Sequence, residues 1–247
     1  MRLITNTMRW LKRVRHVPRG VDLLYDVKRV LRRRRLDVAF DVGANIGQTV
    51  DYLHAEFPDA TVHCFEPAAS HHATLLRKHG RDRRVKCNRF GLGPSEQEAE
   101  LSHTTDASMH FINCGYEATD SSPVTETGKE RVSIRTLDGY CSQHGIDRID
   151  FLKIDTEGYD IEVLKGARSM LAQGAIGVVE CEASMDPDNR FHQPMETIKS
   201  HMEVHGYRLF GIYEQKSRRT PNLRRANIAF VSPEIMRDVG SENQGRG

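Results

Sequence analysis

Apolar residues follow two alternating patterns along the chain, short continuous runs and stripes at three- and four-residue spacing. The runs are typical of buried β-strands, and the stripes are typical of helices that pack one face against a core. The runs predict strands over residues 38–42, 61–65, 85–90, 149–154, 176–181, 207–213 and 227–231. The stripes predict helices over residues 46–57, 69–79, 161–171 and 194–205. This alternation predicts an α/β fold with a doubly wound, mostly parallel seven-stranded sheet that ends in a C-terminal antiparallel hairpin.

The folded unit predicted by this alternation covers residues 37–232. Residues 1–36 precede it as a basic segment, and the helical pattern of that segment breaks at Pro18. Residues 95–135 have no helical period and are rich in Ser, Thr, Asp and Gly, which indicates an insertion. This insertion either covers an acceptor site or is a variable surface segment. Residues 233–247 are expected to be a loose tail.

Basic residues are concentrated at the start of the chain. Residues 1–36 hold twelve of the 36 lysines and arginines but only two of the 34 acids. The rest of the chain is therefore net acidic, which argues against nucleic acid as the partner of the folded unit. The second half of the basic segment is amphipathic and would suit an anionic membrane surface, where each base contributes about 1 kcal/mol. Packing of its apolar face on the domain is the alternative.

Several features indicate a cytoplasmic protein. The chain has no apolar run near the roughly 18 residues of a membrane span, and no apolar stretch of a secretory signal follows its basic start. The five cysteines are odd in number and widely spread, and none forms a C-x-x-C pair. This usage fits a reducing compartment better than a disulfide framework or a zinc site. The pattern does not indicate an oligomeric state.

The turn after the first predicted strand contains Asp41, Gly43, Asn45 and Gly47. Glycines at such a turn let a ligand approach the backbone, and the helix that follows offers free N–H groups. The spacing is not the G-x-G-x-x-G of a dinucleotide site, and the Asp41 carboxylate would repel a pyrophosphate but accept hydrogen bonds from an ammonium group. Glu66 ends the second strand, where an acid binds both hydroxyls of a ribose. Together they indicate S-adenosylmethionine; the alternative is a tight turn beside a solvated strand end.

Two acids and a lysine lie at the carboxyl end of the fourth predicted strand. Strand alternation places Lys153 and Asp155 on one face of the sheet, and Glu157 follows in the turn. Charged groups in a half-apolar setting are costly unless they are paired or used in chemistry. The alternative to a chemical role is an ion pair between Lys153 and Asp155, together with capping of the next helix.

The glycine turn and the block at the fourth strand resemble the FkbM family of S-adenosylmethionine-dependent methyltransferases. The resemblance covers about residues 38–182 and rests on six segments: 41–47 (DVGANIG), 65–67 (FEP), 136–138 (TLD), 151–158 (FLKIDTEG), 163–167 (VLKGA) and 178–180 (VVE). The lysine-to-glycine block is the most specific part, because many methyltransferases have a similar glycine turn. The family usually has a glutamate where this chain has Asp160.

The resemblance implies a Rossmann-like methyltransferase that moves a methyl group to an oxygen, in many relatives a sugar or polyketide hydroxyl. It implies a cofactor site formed by Asp41, Gly43, Asn45, Gly47 and Glu66. It also places Asn88 and the turn after it on the adenine side.

Asp155 and Glu157 are implied to lie near the transferred methyl group. A hydroxyl is a poor nucleophile at neutral pH, so a general base or a metal ion is expected. Asp155 is the first candidate for either role, and Lys153 belongs to the same catalytic block. His144 precedes the fourth strand by a short link and is expected to reach the rim of the site.

An oxygen-rich site for a divalent ion such as Mg²⁺ is one further hypothesis. Glu180 and Glu182 follow the fifth strand beside the fourth, and Asp155 would complete such a site. In the insertion, polar residues could bind a polyol acceptor; they are Ser108, His110, Asn113 and Tyr116.

The leading hypothesis is an O-methyltransferase that acts on a sugar or glycolipid. Two alternatives stay open, an NAD-linked oxidoreductase and a non-catalytic binding module on the same fold. The acid before the glycines and the missing G-x-G-x-x-G argue against the first alternative.

Overall fold

The computed structural model of the chain describes residues 18–31, 35–104, 110–112, 126–186, 189, 192–217 and 222–244. The strands in these residues are β1 Val38–Val42, β2 Thr61–Phe65, β3 Val85–Asn88, β4 Gly91–Leu92, β5 Gln97–Thr104, β6 His110–Ile112, β7 Glu126–Arg135, β8 Ile149–Ile154, β9 Ile176–Ser184, β10 Arg208–Lys216 and β11 Arg225–Val231. The helices are α1 Leu23–Leu31, α2 Gln48–Glu56, α3 Ala69–His79, α4 Leu137–His144, α5 Asp160–Lys165, α6 Arg168–Ala172, α7 Met195–Val204 and α8 Pro233–Gln244.

The main sheet has seven strands in the order β10-β11-β9-β8-β1-β2-β3. Strands β9, β8, β1, β2 and β3 run parallel to one another. Strand β11 is antiparallel to both β9 and β10. This topology confirms the predicted mostly parallel sheet and its C-terminal hairpin. Because β1 and β8 are central neighbours, the turns that follow them lie side by side at the carboxyl edge, where such sheets bind ligands.

Side chains of the central strands alternate between two apolar layers. Phe40 and Leu152 point into one layer, and Ala39 and Phe151 point into the other. Both layers are built from buried side chains, so apolar residues dominate the central strands on both faces. Burial on both faces fixes the register and therefore the positions of the polar residues at the strand ends.

The predicted insertion over residues 95–135 forms most of a second, smaller sheet. Its strand order is β4-β7-β5-β6, and β5 pairs with β7 along nearly its whole length. Leu101 and Ile134 are buried in the same apolar layer as the main sheet. Three of the predicted acceptor residues, Ser108, Asn113 and Tyr116, lie outside the described residues. His110 begins strand β6.

Helix α1 packs on the folded domain. The sequence had predicted that the folded unit begins at residue 37, after the basic segment. Leu24 and Val27 are buried against the second apolar layer. Asp26 accepts hydrogen bonds from the Gly20 amide at 2.7 Å and from the Tyr213 hydroxyl at 3.1 Å. The apolar face proposed for a membrane surface is thus covered by protein, and that part of the membrane hypothesis is wrong. Residues 1–17 lie outside the described residues.

Residues 233–244 form helix α8, so the expectation of a loose tail is wrong for this stretch. The Ser232 hydroxyl accepts a hydrogen bond from the Ile235 amide at 3.3 Å, and Pro233 is the first helical residue. Both features are common helix-start signals. Ile235 is buried, and Glu234 pairs with Arg148. None of the helices described is both long enough and apolar enough to cross a membrane.

Candidate active site

The turn after β1 lies between the ends of β2 and β8 and is hydrogen-bonded to both. Gly43 has a φ of 81°, in the left-handed region, and its amide donates to the Phe65 carbonyl at 2.9 Å. The Asp155 amide donates to the Val42 carbonyl at 2.9 Å. A Cβ atom at Gly43 would lie 1.9 Å from the Asp155 carbonyl oxygen. Only glycine fits here, because both the φ angle and the neighbouring backbone exclude a side chain.

Glu66 connects the end of β2 to the glycine turn. One carboxylate oxygen accepts from the Asn45 amide at 2.8 Å, and the other accepts from the Ala68 amide at 2.9 Å. Burial raises the pKa of Glu66 to about 7. Each carboxylate oxygen has a second lone pair, so the group retains acceptor capacity for ligand hydroxyls. This arrangement agrees with the ribose-binding position predicted for Glu66.

A row of charged residues crosses the three central strands below this edge. In the sheet register, Asp41 on β1 is opposite Lys153 on β8, and Lys153 is opposite Glu180 on β9. The Lys153 ammonium also contacts the Asp155 carboxylate at 2.7 Å. Although burial opposes its charge, the carboxylates of Asp155, Asp41 and Glu180 raise the pKa of Lys153. Lys153 therefore stays protonated and is an ion partner of these acids, which excludes it as a base.

Asp41 is the most deeply buried acid of the site. It is fully buried, and both carboxylate oxygens lack a hydrogen-bond partner among the described residues. Burial raises the pKa of Asp41 to about 6, although Lys153 opposes the shift. A buried acid is costly, and the Lys153 charge and the Thr49 side chain offset only part of this cost, so the position of Asp41 favours a cationic ligand group nearby.

Asp155 and Glu157 lie in very different environments at the end of β8. The Asp155 side chain is 38% exposed and engaged by Lys153. Glu157 has a φ of 50°, unusual for a residue with a side chain, and one of its carboxylate oxygens is buried without a hydrogen-bond partner. Burial, and then the charge of Asp155, raise the pKa of Glu157 to about 7. A pKa near 7 suits a general base at neutral pH, so Glu157 is a candidate for that role.

The loop after β9 adds a histidine that the sequence analysis missed. His192 is buried, and its Nε2 atom lies 2.7 Å from a Glu182 oxygen and 3.6 Å from a Glu157 oxygen. The next residue, Gln193, donates a side-chain hydrogen bond to the Gly158 carbonyl at 3.2 Å. Two successive residues of this loop thus contact the turn that carries Glu157. The signal available in the sequence was that this loop leaves the carboxyl end of a central strand.

The predicted metal ligands do not come together. Lys153 engages Asp155, Asn227 donates to Glu180 at 2.7 Å, and His192 contacts Glu182. Within the described part of the chain, the acidic and imidazole ligand atoms that cluster closely enough belong to Glu157, Glu182 and His192.

Positively charged side chains of the protein already lie at that cluster. The Arg225 guanidinium lies 3.1 Å from one Glu182 oxygen and 3.2 Å from the Nε2 atom of His192. Lys216 lies 3.6 Å from Glu182. A divalent ion would have to displace or repel these two positive charges. The structure therefore does not support the predicted Mg²⁺ site.

Two other predicted site residues have different positions from those expected. His144 ends α4 and precedes β8, so it lies at the amino edge of that strand, opposite the edge that carries Asp155. It is exposed and packs on Tyr140, with ring centroids 4.2 Å apart. Its predicted catalytic role is therefore wrong. Asn88 does end β3 beside Glu66, but its side chain donates to the Cys64 carbonyl at 3.0 Å and braces the sheet.

These positions can be compared with known proteins. A family model described as the methyltransferase FkbM domain matches residues 41–209. The chain belongs to the FkbM methyltransferase family. The match includes the glycine turn, Glu66, the end of β8 and His192, and it confirms the resemblance drawn from the sequence motifs.

Two curated relatives of this FkbM-family chain have activities stated in their names. It is 31% identical over 153 residues to the 31-O-demethyl-FK506 methyltransferase FkbM of Streptomyces tacrolimicus, covering 53% of this chain and 59% of that protein. It is 27% identical over 160 residues to the hexuronic acid methyltransferase AglP of Haloferax volcanii, covering 61% and 58%. The chain thus spans less than two thirds of the length of these relatives.

Solved structures include more distant matches to this FkbM-family chain. The N-terminal domain of human METTL16 in complex with SAH has 10% sequence identity and a TM-score of 0.47, covering 85% of this chain and 68% of that chain.

Proposed function

We propose that this chain is an S-adenosylmethionine-dependent O-methyltransferase that acts on a hydroxyl of a sugar or glycolipid. The observation that carries the proposal is the convergence of the glycine turn, Glu66 and Glu157 at one edge of the sheet. The family match supports methyl transfer. The relative named as a 31-O-demethyl-FK506 methyltransferase supports an oxygen acceptor, and the relative named as a hexuronic acid methyltransferase supports a carbohydrate.

The cofactor, when bound, supplies an electrophilic methyl group on a sulfonium ion. The residues around the glycine turn suit its other parts. Glu66 would accept the ribose hydroxyls, and buried Asp41 would favour the positive end of the amino-acid tail. Glycine at position 43 allows close approach of the Asp155 backbone, which brings the end of β8 beside the cofactor turn.

Glu157 is our candidate for the base. Methyl transfer requires a hydroxyl to lose its proton to the enzyme while its oxygen forms the bond to the methyl carbon and the thioether leaves. A base is most effective when its pKa is near the working pH, and burial gives Glu157 a pKa of about 7. Asp155 was the first candidate from the sequence. Its contact with Lys153 favours a different role, as a fixed carboxylate that would stabilise the positive charge of the cofactor.

Calorimetry tests the cofactor assignment. Purified protein is titrated with S-adenosylhomocysteine and, in parallel, with NAD. We expect saturable binding of S-adenosylhomocysteine and none of NAD. The reverse result would support the oxidoreductase alternative and reject the proposal.

The variant Glu157→Gln tests the base and separates an enzyme from a binding module. The amide keeps the shape of the side chain but cannot accept the proton. We expect a loss of turnover of about 10²–10⁴-fold, the usual contribution of a general base. Affinity for S-adenosylhomocysteine should stay within a few-fold of the wild-type value. Turnover at the wild-type rate would remove Glu157 from the mechanism.

A further inference from the structure

The loop after β9 makes an ion-paired contact with the turn that carries the proposed base. His192 stands between two carboxylates, at 2.7 Å from Glu182 and 3.6 Å from Glu157. Only 7% of its side chain and 7% of the Glu182 side chain are exposed. Solvent is therefore largely excluded from the contact, and interactions between its charges are weakly screened.

The backbone of the same turn is held in an uncommon conformation. Glu157 has a φ of 50° and is followed by Gly158 with a φ of 98°. The Gln193 side chain donates to the Gly158 carbonyl at 3.2 Å, and the Gln193 carbonyl accepts from the Ser184 amide at 2.8 Å. A strained turn of this kind persists only when its surroundings hold it. Here the surroundings include the loop that contains His192.

The charges around Glu157 have opposite effects. Asp155 and Glu182 are negative and disfavour ionisation of Glu157, whereas His192 and Arg225 are positive and favour it. Although burial opposes its charge, Glu182 and then Glu157 raise the pKa of His192. The His192 ring lies 3.6 Å from Glu157. The Arg225 guanidinium lies 3.1 Å from Glu182 and 3.2 Å from the Nε2 atom of His192, where its charge opposes protonation of the ring.

We propose that His192, anchored by Glu182, is a positioning residue that orients the Glu157 carboxylate and keeps it ionised to accept the proton of the acceptor hydroxyl. This inference rests on the proposed function of Glu157. A structural filler would account for the burial of His192. It would not account for an imidazole held between the base and a second carboxylate.

Two substitutions separate charge from shape. His192→Gln keeps a hydrogen-bond donor for Glu182 but removes the positive charge, and His192→Lys restores a positive charge without the ring. His205→Gln is the matched control, since His205 lies at the end of α7 away from the site. The Glu157 carboxyl carbon is followed by NMR in full-length protein labelled with ¹³C at the glutamate side-chain carboxyl. Its signal is assigned by its absence in Glu157→Gln.

We expect His192→Gln to raise the apparent pKa of Glu157 by at least one unit and His192→Lys to restore most of the wild-type value. His205→Gln should leave it unchanged. The rate of methyl transfer to a hexuronic acid glycoside, used as the probe acceptor, should follow the same change in the pKa of Glu157. For His192→Gln, kcat at pH 7 should fall about fivefold or more, because a pKa raised from about 7 to about 8 lowers the ionised fraction of Glu157 from about one half to about one eleventh, and kcat should recover at pH 9. The KM for S-adenosylmethionine should stay within about twofold.

Three results would overturn the inference. One is a Glu157 titration in His192→Gln that matches the wild type. Another is a kcat lowered by the same factor at every pH, which would indicate a merely structural role. The third needs no variant: a neutral His192 ring at the pH where Glu157 ionises, measured by ¹⁵N NMR on the wild-type protein. If Glu157→Gln keeps its turnover, the proposed function of Glu157 fails as well, so the two failures can be told apart.

Discussion

The substitution Gly43→Ala tests the geometry on which the site depends. The new Cβ atom would lie 1.9 Å from the Asp155 carbonyl oxygen, whereas real Cβ atoms keep at least 3.0 Å from other heavy atoms. Either the turn or the end of β8 must therefore move by about an ångström. Because Asp155 belongs to the backbone segment that leads to Glu157, this movement would disturb the cofactor turn and the chemical site together.

The size of the effect follows from two contributions. A side chain in the left-handed region costs about 1–2 kcal/mol. Overpacking against a backbone that cannot rotate away adds about 1–3 kcal/mol. The control Gly145→Ala isolates the first contribution, because Gly145 also has a positive φ of 63° but a Cβ atom there would have nothing within 4 Å of it.

Thermal unfolding and calorimetry measure the difference between the two variants. For a domain of this size, 1 kcal/mol corresponds to about 2–4 °C in Tm. Gly43→Ala should therefore melt about 2–12 °C below Gly145→Ala. It should also bind S-adenosylhomocysteine at least about tenfold more weakly, while Gly145→Ala binds like the wild type. Equal melting temperatures together with equal affinities would refute the close approach of the two turns.

Three further predictions follow from buried groups. Burial raises the pKa of Asp160 from 3.8 to about 7, so the pKa is higher in the folded state than in the unfolded state. Ionisation of Asp160 therefore lowers the free energy of unfolding as pH rises from about 4 to 7, by up to about 4 kcal/mol. Asp160→Asn should therefore lose less stability than the wild type between pH 5 and pH 8 in urea unfolding; an identical pH dependence would contradict this. Leu24→Ala in α1 should cost about 2–4 kcal/mol because Leu24 is 2% exposed, and Val21→Ala, at 50% exposed, should cost under about 0.5 kcal/mol. Equal costs would mean that α1 does not pack on the domain. Full methyl-transfer activity is expected in EDTA, and loss of activity that Mg²⁺ restores would reinstate a metal site.

Much of the fold could be predicted because the central strands are buried on both faces. Residues 149–154 are mostly apolar, and the structure has β8 over the same residues. The glycine turn was equally accessible, since Gly43 and Gly47 both adopt the positive φ that glycine permits. The position of Glu66 followed from the strand that it ends.

The errors have identifiable physical causes. His144 is close to β8 in sequence, but it lies at the strand's amino end, and sequence distance alone does not distinguish the two edges of a sheet. The apolar stripe of α1 has the same pattern whether it meets a membrane or a protein core. Helix α8 begins with start signals at Ser232 and Pro233, but the residues after them have no clear apolar stripe in the sequence.

His192 could not be found from a local motif. It meets Glu157 from a position 35 residues later in the chain, through a loop that folds back over the carboxyl edge. Its partner Glu182 lies on β9 and was predicted as a metal ligand instead. The pairing depends on where this loop crosses the edge of the sheet, and no periodic pattern encodes that crossing.

Transfer of an isotopic label tests the central claim most directly. The protein is incubated with S-adenosylmethionine that carries a ¹³C-methyl group and with a hexuronic acid glycoside or a carbohydrate and glycolipid extract. NMR of the products should contain a methyl ether resonance from a methylated hydroxyl, and Glu157→Gln should give none. Label on a nitrogen or on a carboxylate, or an equal yield from Glu157→Gln, would contradict the account.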